Sequence, residues 1–129
     1  DKQKDMKYSD AAALTQDKLL LLERATKKVK LVVADLSLAT NLLENKLAND
    51  LKLEQVGEQL ASLGVVPAAT KVVFDSRDVM FSLDTDKLEG LVVLNNSVVA
   101  ISNDNDFGVG DNTNDYPSKV WLIRLGKTM

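Results

Sequence analysis

The residues of this 129-residue chain best suited to chemistry are carboxylates and carboxamides packed into one short stretch. Asn103, Asp104, Asn105 and Asp106 follow one another. Asp111 and Asp115 extend the tract, and no Lys or Arg lies between Asn103 and Asp115. Carboxylates this close repel one another unless they are hydrated, protonated or bridged by a cation. Calcium takes six to eight oxygens from carboxylates, carboxamides and backbone. Glu89 lies one hairpin upstream, so Glu89, Asn103, Asp104, Asn105 and Asp106 form a candidate Ca2+ ligand set. The spacing is not that of an EF-hand, because Gly108 stands fifth from Asp104 where the loop needs glycine at the sixth position. A solvated loop whose Asn and Asp side chains bond the turn backbone accounts for the same residues. Glu89 and Asp10 hold matching places at two strand starts, where they serve either as ligands or an acid–base pair in a shared channel or as polar groups bonding neighbouring backbone, and Glu89 and Asp104 are the candidate catalytic residues.

The composition excludes much else. The chain has no His and no Cys, which removes Ser-His-Asp chemistry, thiol nucleophiles, disulfides and His- or Cys-held metals from these residues. A net charge of -3 with a pI near 4.9 argues against nucleic acid as a partner. Lysines and arginines near the start are interleaved with acidic residues, as on a solvated face. No apolar run reaches the roughly 18 residues of a membrane span. The start, Asp1-Lys2-Gln3-Lys4, is neither a signal peptide nor an initiator Met, so we expect that a leader or a larger preceding portion was removed.

The elements that must position the acidic groups are short strands. Tyr8 to Leu14 and Leu19 to Arg24 flank the polar group Thr15-Gln16-Asp17-Lys18, and Val29 to Leu36 follows as a third strand. Leucine alone permits helix at Leu19 to Arg24; segment length and a later repeat favour strand. That repeat runs from Glu89 to Leu94, from Val98 to Asn103 and from Lys119 to Leu125. Asp10 matches Glu89 with one residue of slippage, Leu19 to Arg24 matches Val98 to Asn103, and Lys30 to Leu36 matches Lys119 to Leu125. Glu23 and Arg24 are read as a local ion pair, with phosphate contact by Arg24 as the alternative. Trp121 reads as core or interface, with a ligand-stacking aromatic as the alternative. Asn95-Asn96-Ser97 fits a glycosylation acceptor but occupies a tight turn.

Between the copies lies a helical insertion. Asn41 to Leu47 is mildly helical. Leu53, Val56, Leu60 and Leu63 predict a helix capped by Asn49 or Asp50, stopped at Gly64 and barred from continuing by Pro67. Thr70 to Asp75 and Val79 to Leu83 predict two further strands. The whole chain, 1–129, reads as one unit: a first repeat at 8–36, a partly helical insertion at 37–70 and a second repeat at 71–129.

Three segments resemble the "esterase-like activity of phytase" family. They are Ser9-Asp10 with Leu21-Leu22-Glu23-Arg24; Glu89-Gly90-Leu91 with Asn103-Asp104-Asn105-Asp106-Phe107-Gly108; and Val120 to Leu125. The resemblance implies a mainly β fold, about two antiparallel propeller-type blades with a helical insertion, as the C-terminal part of a larger β-propeller. A propeller needs four or more blades, so the remainder of the propeller is the expected partner. It also implies an extracytoplasmic setting and a Ca2+-dependent phosphate-ester or other ester hydrolase acting on a phosphorylated small molecule. The calcium or channel role falls on Glu89, Asp104 and Asp106. The alternative is a non-catalytic extracellular or cell-surface propeller serving as a binding module.

Overall fold

The structure, a computed structural model, describes residues 6–25, 28–44, 47, 53, 57–79, 87–105 and 117–126. It is mainly β. Strands β1 (Lys7–Thr15), β2 (Lys18–Ala25), β3 (Lys28–Asp35) and β4 (Ala69–Asp75) form an antiparallel sheet in that order. Strands β5 (Leu88–Asn95), β6 (Val98–Asn103) and β7 (Val120–Arg124) form a second antiparallel sheet. The leucine run of β2 is extended because it is paired along its length with β1 on one side and β3 on the other. With both ladders in place, alternate leucines point to opposite faces. The strand expected at Thr70 to Asp75 is β4; it pairs with β3, so residues 71–75 belong with the first sheet rather than with the second repeat. The strand expected at Val79 to Leu83 lies almost wholly outside the described residues.

The two sheets are copies, and their hydrogen bonds fix the register more sharply than residue types do. In β1 the pairing with β2 slips between Tyr8 and Asp10 and again between Ala13 and Thr15. In β5 the pairing with β6 slips between Leu88 and Gly90 and between Val93 and Asn95. Each slip is a β-bulge carrying one unpaired residue. Ser9 is therefore the equivalent of Glu89, and Asp10 of Gly90. Lys18 to Glu23, not Leu19 to Arg24, matches Val98 to Asn103. The third strands match as expected, Lys30 to Leu36 with Lys119 to Leu125. Both copies close alike, Leu36 donating to the Asp17 carbonyl at 2.7 Å and Leu125 to the Ser97 carbonyl at 2.8 Å.

The core lies between the sheets. From the first come Leu20, Leu22 and Leu31, all 0% exposed, and from the second Leu91, Val99, Ile101 and Ile123. Each fully buried leucine contributes roughly 1.5–3 kcal/mol of transfer free energy. Trp121 packs against this cluster, in keeping with its core reading. The backbones come closest where β1 lies along β5.

The buried positions of the two copies are out of phase. Leu20, Leu22 and Leu31 correspond to Ala100, Ser102 and Val120, which face away from the core, and Val120 is 68% exposed. Conversely, Leu91, Val99 and Ile101 correspond to Ala11, Leu19 and Leu21, on the outer face of the first sheet. Unlike faces meet, so the sheets stack head to tail rather than as a two-fold sandwich.

The insertion departs from expectation. Its described helical parts are 3-10 segments at Leu42–Glu44 and Gly57–Leu63, and no single α-helix runs from Leu53 to Leu63. Gly57 has φ of 46°, a left-handed conformation that an α-helix cannot contain. Gly64, with φ of 72°, is the expected stop. The expected cap residues Asn49 and Asp50 lie outside the described residues. Thr40 ties the insertion down, donating its N–H to the Val66 carbonyl at 2.9 Å and accepting the Val66 N–H at 2.8 Å.

After β4 the chain turns on Asp75, a buried carboxylate. Its oxygens accept from the Arg77 backbone N–H at 3.0 Å and from the Arg77 guanidinium at 2.5 Å. The guanidinium bonds outweigh burial and hold the Asp75 carboxyl below its ordinary value of 3.8. A carboxyl depressed by folding adds stability above its unfolded value and loses it as pH falls through the folded value. Arg77→Ala should therefore start acid unfolding at a higher pH than the parent, read as ellipticity between about pH 5 and 2. Equal acid midpoints would contradict this reading of the turn.

Candidate functional site

Antiparallel pairing brings the starts of β1, β3, β5 and β7 and the ends of β2, β4 and β6 to one end of the paired sheets. Asp10 and Ser9 fasten the two sheets there. The Asp10 carboxylate accepts the Leu91 N–H at 2.7 Å and its neighbour Ala11 N–H at 2.8 Å. The Ser9 hydroxyl donates to the Leu88 carbonyl at 2.8 Å. β5 is the edge of its sheet, so backbone N–H groups on its outer side need partners from elsewhere, and Asp10 takes up the one at Leu91. Asp10 is thus a clamp between sheets.

Glu89 rides on that bulge with 44% of its side chain exposed, and its carboxylate meets the Arg24 guanidinium at 2.6 Å. This pairing corrects the expected Glu23–Arg24 pair. Adjacent strand residues point to opposite faces. Arg24 shares the side of Leu22, toward the second sheet, while Glu23 lies 4.0 Å from Lys30 across the ladder. The Glu89 partner joins two separate sheets, and no local sequence signal points to it.

The acidic loop begins beside Glu89. The Asp104 N–H donates to the Lys87 carbonyl at 2.7 Å, which holds the start of the loop against the start of β5. Asn103 is committed to the backbone: its carbonyl oxygen accepts the Lys119 N–H at 2.6 Å and its amide donates to the Pro117 carbonyl at 3.2 Å. Asn103 therefore guides the chain into β7. Asn105 follows Asp104 at the edge of the described residues, and Asp106 lies beyond them. In the β5–β6 turn Asn95 accepts the Ser97 N–H at 2.9 Å, the turn role its position implied.

Among the described residues no three Asp or Glu side chains converge as a metal cage would require. Glu89 faces a guanidinium, and the Asn103 oxygen already holds a backbone N–H. For Ca2+ the donor chemistry fits best at Asp104 and Asn105, with Asp106 as the next carboxylate in sequence. Arg24 engages one oxygen of Glu89, Oε1, and the carboxylate keeps a second. A cleft of about 440 Å³ opens at the opposite, hairpin end, lined by Leu14, Val33, Lys71 and Val93 among others and by no carboxylate.

These features define a mainly β protein of two repeat-related sheets, clamped at one end by acidic side chains. Residues 1–107 match the model of the phytase-like family described as "Esterase-like activity of phytase". The chain belongs to that family. The match includes the Asp10 clamp, the Arg24–Glu89 pair and the acidic run through Asp106, while β7 is tied to it by the repeat register. No curated protein and no solved structure matches the chain. Among the described residues no helix is long and apolar enough to cross a membrane.

Proposed function

We propose that this chain is part of an extracytoplasmic, phytase-like β-propeller that hydrolyses phosphate or other esters with Ca2+ at its acidic end. The observation that carries this reading is the convergence of Glu89, Arg24 and the start of the Asp104 loop at the clamped end of the sheets. Glu89 and Asp104 are the acid–base candidates. Asn103, Asp104, Asn105 and Asp106, with Glu89, are the calcium candidates, and a bound cation would offset the charge of a phosphate ester. Arg24, freed from Glu89, has the fork geometry to grip a phosphate by two oxygens. Head-to-tail packing of the sheets supports the propeller, with further sheets of the same protein as partners.

The test is turnover of phosphate and carboxylate esters by the intact protein with Ca2+ or a chelator. Glu89→Gln and Asp104→Asn should each lower kcat/KM by at least ~100-fold. Asp104→Asn should also weaken Ca2+ binding measured by calorimetry. Unchanged turnover in both variants would remove the hydrolase reading. The second reading, a non-catalytic binding module, is favoured by the structural use of Asn103 and by the Glu89–Arg24 pair. It predicts that Ca2+ raises Tm while no ester is turned over.

A further inference from the structure

We propose that the cleft at the hairpin end of the two sheets binds a small amphipathic anion, an apolar body carrying one carboxylate, sulfonate or phosphate head. At about 440 Å³ the cleft has the size of a small-molecule site. Its origin is the splay of the sheets. Their backbones come closest at β1 and β5 and separate toward β4, the outer edge of the first sheet. Leu14, Val33 and Val73 of the first sheet and Val93 of the second line the opening. All four pack against the core while remaining only partly buried, a wall suited to an apolar body. Further sheets stacked head to tail would cover the outer faces of this pair, whereas the cleft opens between the inner ones.

The charge at the opening is of one sign. Lys18 and Lys71 line it with Thr15 and Asn96, and no carboxylate does. Asp35 holds Lys18 at 3.4 Å, which leaves Lys71 as the deciding cation. Lys71 pairs with Val33 and Val33 with Leu20, so the three share the face turned to the second sheet. On that apolar face Lys71 makes no ion pair with any described residue. Its stem can lie along the wall while the ammonium meets an anionic head at the mouth. The Thr15 hydroxyl and the Asn96 amide add hydrogen-bond donors there. This site is separate from the acidic end. Glu89 and Asn96 stand at the two ends of β5, roughly 20 Å apart at the rise of a strand. A lysine that merely guards the edge of β4 against pairing with another chain is the competing account of Lys71.

The inference does not depend on hydrolysis, and the failure of either reading leaves the other standing. The test is titration of the intact protein with octanesulfonate, which has no ester to hydrolyse, followed by calorimetry and methyl NMR. Binding should saturate and shift the methyl signals of Val33, Val73 and Val93. Those of Val29, which pairs with Arg24 at the clamped end, should stay in place. Lys71→Glu should weaken binding roughly tenfold or more, the loss of a hydrogen bond between charged groups, while Lys71→Arg keeps most of it. Octylamine, the same chain with the opposite charge, should bind the wild type at least ~10-fold more weakly than octanesulfonate. Lys71 is exposed, so its replacement should leave the fold intact by circular dichroism. If Lys71→Glu fails to fold, the octylamine comparison in the wild type decides. Absence of saturable binding would overturn the proposal, as would equal affinity for the two amphiphiles. So would unchanged affinity in a folded Lys71→Glu, the result expected of an edge guard, or shifts confined to Val92 and Leu122 on the outer face.

Discussion

Leu31→Ala is expected to lower the unfolding free energy by about 2–5 kcal/mol, the range for truncating a fully buried leucine. Val120→Ala, at the equivalent position of the other copy, should stay within about 0.5 kcal/mol. Leu31 is 0% exposed between the sheets, and Val120 is 68% exposed on the far side of the second sheet. The contrast follows from head-to-tail stacking, in which equivalent side chains cannot both face the shared core. A two-fold sandwich would give both substitutions similar costs. Urea midpoints give both values, and a large loss for Val120→Ala would contradict the packing.

Asp10→Ala should cost about 1–3 kcal/mol, the range for leaving a buried polar group without its partner. The carboxylate accepts the N–H of Leu91, a residue 7% exposed, and this bond crosses from one sheet to the other. Asp10→Asn keeps one acceptor oxygen and should recover much of the loss. The local readout is the Leu91 amide, whose hydrogen exchange should accelerate in the alanine variant more than that of Val99 in the same sheet. Equal acceleration at both amides would mean that Asp10 acts on global stability and not as a clamp.

Much of this architecture is legible in the residues. Apolar runs broken by Gln16-Asp17 and by Asn96-Ser97 announce the hairpins, and the match of Lys30–Leu36 to Lys119–Leu125 gives the third strands in register. Gly64 marks a stop because few other residues tolerate its φ. What escaped has definite causes. Bulges at Ser9 and Glu89 insert one unpaired residue each, so matching the copies by acidic residues places Asp10 one position out of register. The helix expected over Leu53 to Leu63 follows apolar spacing, which is blind to the left-handed turn at Gly57. The partner of Arg24 sits on another sheet 65 positions away, beyond any local pattern. The acidic run drew attention to Asp104 by composition, but composition cannot separate Asn103, spent on the backbone of Lys119, from a free ligand.

The central claim is that two copies of one repeat pack through unlike faces, with the acidic groups at the clamped end. The most direct measurement is a methyl nuclear Overhauser spectrum of the chain. The account predicts cross-peaks from Leu20, Leu22 and Leu31 to Leu91, Val99, Ile101 and Ile123. Cross-peaks to that second-sheet set from Leu19 and Leu21 instead would contradict it.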